Sequence, residues 1–440
     1  MRKGYRFSLI IALAAMITTL SLSGIVANAQ ATAAPVTINM WHISTAAIQG
    51  AYWQTIANDY MAQHPNVTIQ FTVLENEAYK AKLTTVIQAG TPPDLFWSWG
   101  GGVLWNYANA GLVRDISPEL NANNGEWKNS FAAQAALNLY GQNGKYYGVP
   151  FDWGAVGVFF NKALWKKAGL DPAKTPATWD DLLTDVKALK AAGITPFIIG
   201  EKDKWPGHFF FAYLATREAG QKGFLAAYNQ TGSFADAPFV KAFTDLKQLV
   251  DLNAFQDGAL ATDYSTAENL MGDGKGAMEV MGQFSIANQI NDSTSKKGLG
   301  ADLGWFPFPV ITGGTGLATD VFGGGDGLAV GKNAPDAAVD FLKFASSTKY
   351  QIMGADPNIG VTVPPTVKGT DSAITDPILQ TIIKARDSAT YFQLYYDQFL
   401  PPATAGAVLD SVQAVFAGTD TPQQAAQAIQ DAAKTELPLK

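Results

Sequence analysis

The 440 residues contain no cysteine and only three histidines, His42, His64 and His208. The first absence removes disulfides, thiolate metal sites, a cysteine nucleophile and the lipid-modified cysteine of an exported lipoprotein. The second leaves little for metal or triad chemistry, since no two histidines stand at a ligand spacing such as HExxH. Basic runs are missing too, and the formal charge is −7, which argues against nucleic acid as a partner. Beyond the N-terminal segment no stretch has the unbroken hydrophobicity of a membrane span.

That N-terminal segment reads as an export signal over residues 1–29. Arg2, Lys3 and Arg6 precede an apolar stretch from Phe7 to Val26, and Ala27-Asn28-Ala29 offers a cleavage site before Gln30. The apolar stretch, about twenty residues, also has the length of an uncleaved anchor. The signal carries three positive charges and no negative one, so cleavage takes the charge from −7 to −10. The remainder is long enough for two ordinary domains held together by core burial alone.

Tryptophan is abundant, with eleven in the chain. Several stand among glycines and carboxylates, in Phe96-Trp97-Ser98-Trp99-Gly100-Gly101-Gly102, Pro150-Phe151-Asp152-Trp153-Gly154 and Glu201-Lys202-Asp203-Lys204-Trp205-Pro206. An indole beside flexible backbone and a carboxylate suits a sugar ring. The C–H face of the pyranose stacks on the indole, and its hydroxyls pair with Asp, Glu, Asn and backbone N–H groups. Any one tryptophan can equally be a large core residue.

Strands at Val36 to Trp41, Val67 to Leu74 and Asp94 to Trp97 alternate with helices at Ala47 to Gln63 and Tyr79 to Gln88, predicting a mostly parallel sheet. Ligands bind such sheets beyond the carboxyl ends of the strands, which makes His42, Glu75 and Trp99 to Gly101 site candidates. The pattern restarts after Pro150. Val156 to Phe160 and Thr195 to Ile199 read as strands, and a helix capped by Thr178 ends at Gly193. Ala277 to Met281 is a further strand running into Gln283-Phe284. Glycines at 323–325 precede Asp326 and a strand at Leu328 to Val330. The tail from Asp376 reads as all helix.

The glycine clusters lack the phosphate-loop and dinucleotide patterns. Gly100, Gly101 and Gly324 instead allow close backbone approach to a ligand, or positive φ at a hinge. Glu75, Asp152, Glu201, Asp203, Glu279 and Asp326 fall in or near loops facing the expected crevice. A glycosidase needs two opposed carboxylates, one with a raised pKa, and nothing singles out a pair, so no catalytic residue is assigned.

Taken in order, the segments Pro93-Asp94-Leu95-Phe96-Trp97-Ser98-Trp99-Gly100, Lys145-Tyr146-Tyr147-Gly148-Val149-Pro150-Phe151, Phe159-Phe160-Asn161-Lys162, Pro176-Ala177-Thr178-Trp179-Asp180-Asp181-Leu182, Gly274-Lys275-Gly276-Ala277-Met278 and Asp397-Gln398-Phe399-Leu400-Pro401-Pro402 carry a resemblance. The chain resembles the family 1 extracellular solute-binding proteins of bacterial ABC sugar importers, in particular their xylo-oligosaccharide-type branch. The resemblance implies an α/β fold of two lobes hinged around a central cleft, each lobe a mostly parallel sheet flanked by helices. Lobe one would be 35–150 and 327–368, and lobe two 151–326 and 369–440.

By the same resemblance Trp41, His42, Trp99 and its glycines face the ligand from lobe one, Phe151, Asp152 and Trp153 from the first crossover, and Trp205, Gln283 and Phe284 from lobe two. The implied function is capture of a di- to tetrasaccharide and delivery to a membrane-embedded permease, by an exported monomer that is not a lipoprotein, without cofactor, metal or chemistry. The rival reading is a secreted glycoside hydrolase or lyase.

Overall fold

The computed structural model describes residues 34–438; the expected export signal lies outside them. In chain order the strands are β1 (Val36–His42), β2 (Val67–Val73), β3 (Leu95–Ser98), β4 (Gly141–Gln142), β5 (Lys145–Tyr146), β6 (Gly148–Pro150), β7 (Gly154–Ala155), β8 (Gly157–Asn161), β9 (Met278–Met281), β10 (Leu303–Phe306), β11 (Val321–Gly324), β12 (Gly327–Val330) and β13 (Phe392–Leu394).

Two hydrophobic cores organise them. The first gathers residues from Ile38 to Trp153, then Leu328 to Tyr350, with Val361 and Val367. Its sheet has the order β2-β1-β3-β12-β6. β1 pairs in parallel with β2 and β3, because a single helix crosses over between each pair of strands. Helix Ala47–Gln63 makes the first crossover and buries Tyr52, Trp53, Ile56 and Tyr60 on one stripe. β12 returns late in the chain and wedges antiparallel between β3 and β6.

The second core gathers Ala155 to Phe322 and Ile374 to Leu437, with Ala355 and Val363. Helix Trp179–Ala191 is fixed at its start by a reciprocal capping box between Thr178 and Asp181. Behind the cleft a third sheet, β13-β11-β7, sits where the chain passes from one core to the other. There Trp153 donates its N–H to the Pro364 carbonyl, and Thr366 donates its hydroxyl to the Pro150 carbonyl.

The two-core α/β architecture agrees with the sequence reading, but the sense of the second sheet does not. β10-β8-β9 is antiparallel throughout. Two helices, Lys162–Lys167 and Trp179–Ala191, separate β8 from the next extended segment, and two passes return the chain in the opposite direction. That segment, Thr195 to Ile199, is bridged only at Phe197. The Gln256 side chain occupies both the N–H and the carbonyl of Ile199 that a longer ladder would use. The tail is not all helix either, since β13 pairs in parallel with β11.

Candidate functional site

Between the cores lies a cleft of about 1130 Å³ including its open mouth. One wall comes from the carboxyl ends of the parallel strands: the Ile43 to Ala46 loop after β1, Glu75 and Asn76 after β2, and Trp97 and Trp99 at and after β3. Trp205, Phe209, Tyr264, Phe284 and Asn288 form the facing wall. Asp152, Asp326, Tyr395 and Asp397 close the floor.

The two walls each contribute an indole. Trp99 is half-buried and packs on the first core, with its ring edge-on to Tyr79. Trp205 belongs to the second core and opens helix Trp205–Tyr228, whose first turn holds Pro206. It is steadied by Tyr264, 4.6 Å away, and Phe209. Lys80 stands between the indoles, its ammonium 5.3 Å from the Trp99 ring centre and 5.9 Å from that of Trp205. Both lie within cation–π range. Among the described residues Lys80 is the one cation lining the cleft.

Three buried polar groups of the lining, the Trp97 and Trp205 indole N–H groups and the Tyr395 hydroxyl, have no partner among the described residues. Unpaired indole N–H groups occur away from the lining as well, at Trp105, Trp165 and Trp305.

The floor is acidic and tightly laced. The Asp326 carbonyl accepts the N–H groups of Phe151 and Asp152, and Asp152 Oδ1 accepts the Asp326 N–H at 2.9 Å. Burial, then the neighbouring Asp326, holds the Asp152 carboxyl far above the usual carboxylate range. Burial also lifts Asp326 to about 7, with Lys80 working against the rise and Asp397 adding to it. Asp397 Oδ1 lies 3.4 Å from His208 Nε2, and burial lowers the pKa of that imidazole, favouring its neutral form. Asp152 and Asp326 thus share one hydrogen-bonded floor, with Glu75 on the first core's wall and Asp397 beside them. Among the described residues no cluster of three His, Asp or Glu could hold a metal.

Of the residues expected at the site, the structure brings Glu75, Trp99, Asp152, Trp205, Phe284 and Asp326 to the cleft. Glu75 also caps helix Asn76–Gln88, accepting the Glu77 N–H at 3.0 Å. The others do not line it. His42 is buried beside the Trp53 and Phe71 rings, its pKa pushed down to about 4 by burial; strand alternation turns it inward. Trp41, on the opposite face, lies under the Lys82 ammonium. Phe151 packs against Trp53 in the first core, and Trp153 stacks on Phe392 at 4.4 Å behind the floor.

Gln283 is buried against Gly154, and Gly324 against the Tyr395 ring. Gly100 packs against Leu139. Gly101 has φ +65°, and a Cβ there would come within 2.8 Å of the Gln398 carbonyl oxygen. Gly101 thus permits close approach of the opposite core's backbone at Gln398, while Gly100 lies against Leu139 of its own core. Glu201 and Glu279 are buried outside the lining, Glu279 accepting hydrogen bonds from Ser285 and Gln289.

Sequence reasoning missed Lys80, Tyr264, Tyr395 and Asp397 as lining residues. Asp397 opens the Asp-Gln-Phe-Leu-Pro-Pro segment that carried the resemblance, which was the available signal. Lys80 had none, being one of many lysines on helix surfaces.

Residues 44–352 match the model of the bacterial extracellular solute-binding proteins. The chain belongs to that family. It is 24% identical over its whole length to an ABC transporter extracellular-binding protein of Pyrococcus horikoshii, covering 98% of that protein. With a diacetylchitobiose-binding protein of Streptomyces coelicolor it shares 28% over 308 residues, 68% of this chain and 67% of that one. The match to putative binding proteins of Brucella abortus and Brucella suis, 26% identical, spans 64% of their length and 63% of this chain.

Among solved structures, one from work on xylan utilization by the thermophilic Caldanaerobius polysaccharolyticus superposes with a TM-score of 0.82 at 30% identity, covering 90% of this chain and 99% of that one. A chitin oligosaccharide binding protein gives 0.82 at 25%, covering 91% and 98%. The Pyrococcus relative is named for an ABC transporter, the Streptomyces and chitin oligosaccharide proteins are named as binding proteins, and the family's description is extracellular. Among the described residues no helix is long and apolar enough to cross a membrane.

Proposed function

We propose that this protein captures an uncharged oligosaccharide in the cleft and hands it unchanged to the permease of an ABC importer. The observation that carries this reading is the pair Trp99 and Trp205, one from each core, lining a single cleft whose other walls offer Asn, Asp, Glu and Tyr. Two indoles supply stacking faces, and the lining Asn, Asp and Glu side chains supply partners for ring hydroxyls. Carboxylates outnumber the one cation, which favours a neutral ligand over an acidic one.

The names of the relatives support an oligosaccharide: diacetylchitobiose, chitin oligosaccharides and xylan utilization. A di- to tetrasaccharide is the ligand we assign, with xylo-oligosaccharides the first to test. We take the lobes as 35–150 with 327–368, and 151–326 with 369–438, although Phe151 and Trp153 pack in the first core and Ala355 and Val363 in the second. Ligand held by one lobe gains its remaining contacts only when the other closes, so binding shifts the open–closed equilibrium. The contacting residues are Glu75, Trp99, Asp152, Trp205, Phe284 and Asp326, joined by Tyr264, Tyr395 and Asp397. The protein acts as an exported monomer, with no cysteine to carry a lipid.

Isothermal titration of the chain from Gln30 onward against di- to tetrasaccharides, with product analysis of the same samples, tests this. One-to-one binding with the sugar recovered intact is expected. Shortened sugars would favour the hydrolase or lyase reading, and no heat from any sugar would end the oligosaccharide assignment.

A further inference from the structure

Past Lys80 the cleft does not end. A second compartment, about 1290 Å³ with its mouth, lies beyond the Trp99 ring. Helices Asn76–Gln88 and Gly101–Asn109 wall it on the first core's side, and helix Pro402–Ala417 on the other. Lys80, Trp97, Trp99, Asp397 and Gln398 line both spaces, so the two adjoin between the cores with these side chains standing between them. The far part is more apolar, with Leu83, Val103 and Leu409, but it too sets aromatic rings, Trp99 and Tyr107, beside the polar Thr84, Asn106 and Asp203.

We propose that this far compartment is a second portion of the saccharide site, holding further rings of the same oligosaccharide threaded past Lys80, so that both ends of the ligand can leave the cleft. The proposal rests on the reading of the cleft as an oligosaccharide site. Adjacency to that cleft points to the occupant, since five residues are common to both spaces and a shift of the Lys80 side chain would join them. Lys80 is a movable waist: its stem is flexible, and its ammonium is held by Glu77 at 3.0 Å in a partly exposed pair of small net strength.

Gly406 provides the test. It lines the compartment from the middle of helix Pro402–Ala417, and a Cβ built there meets nothing within 4 Å. A larger side chain fills the space without backbone strain, and glycine is a poor helix former to begin with. Thr84, exposed on the opposite wall, offers an independent block.

Titration of one saccharide series, disaccharide to hexasaccharide, is measured on the parent, Gly406→Phe and Thr84→Trp. The parent is expected to gain about tenfold in affinity once the chain outgrows the near compartment, the scale of one further ring contact. Both variants lose that gain while binding the disaccharide within about twofold of the parent. Flat or falling affinity with length in the parent overturns the proposal alone, as does a gain that survives in both folded variants. Loss of disaccharide binding in both variants overturns it too, since the compartments would then not be separable. No heat from any saccharide on the parent ends the oligosaccharide reading and this proposal with it.

Discussion

Trp205 is 8% exposed and touches Tyr264, Phe209 and Phe284, yet its indole N–H has no partner among the described residues. An unpaired buried donor costs about 1–3 kcal/mol, and the core residue Trp165 bears the same cost, so Trp205 is set apart by its place in the cleft lining. Trp205→Ala is expected to weaken sugar binding by roughly 1–3 kcal/mol while far-ultraviolet circular dichroism stays that of the parent. Equal affinity in the variant would reduce Trp205 to a packing residue.

Asp326 is a second residue-scale case, with a definite sign. Its carboxyl titrates at about 7 in the folded chain, against about 3.9 when exposed. The folded state therefore binds this proton more tightly than the unfolded one. The stability it contributes is fully present below about pH 4 and is lost as pH rises toward 7, by up to about 1.4 kcal/mol per pH unit. Asp326→Asn removes that titration, so its urea midpoint falls less steeply across this window than the parent's. Identical slopes would show that Asp326 is not held protonated. Asp152 and Glu279, also raised by burial, leave the variant a residual slope.

These residues were legible for a chemical reason: an indole or carboxylate in a loop after a strand has few other uses. His42 and Phe151 occupied equally suggestive positions and are core. Position at a strand's end tells which edge of the sheet a residue occupies, while facing depends on a one-residue register that the loop after it conceals.

At the scale of elements, helices were read most closely. Helix Ala47–Gln63 has the ends expected from its apolar spacing, and Thr178 caps Trp179–Ala191 as its sequence predicts. Thr178→Ala removes the acceptor that holds the Asp181 N–H and is expected to cost about 1 kcal/mol of stability by chemical denaturation. Sugar affinity should be unchanged, since the helix lines neither compartment. A fall in affinity would mean that the helix takes part in closure. Strand direction was less legible, because alternation of strands and helices does not say how many passes the chain makes before it re-enters the sheet. The antiparallel β8–β9 pairing and the late insertion of β12 depend on contacts more than a hundred residues apart, beyond any local pattern.

For the whole molecule the open question is what holds two acid-lined faces together. Glu75 and Glu77 approach from one core and Asp203 and Asp397 from the other. Lys80 stands between them against both indoles. Mutual repulsion of the carboxylates opposes closure, and Lys80 offsets it in a groove open enough for salt to screen. Lys80→Met keeps the apolar stem and removes the charge. The variant is expected to lose roughly 1–2 kcal/mol of affinity, the sum of two cation–π contacts. In X-ray scattering at low salt its ligand-free form should have a larger radius of gyration than the parent's. The salt dependence separates this account from simple loss of packing. Added salt screens the repulsion left in the variant, so the gap between variant and parent should narrow from 0.05 to about 0.5 M ionic strength, where the Debye length shrinks severalfold. A gap that is constant with salt would make Lys80 a packing element, and equal affinities at every salt concentration would remove it from closure altogether.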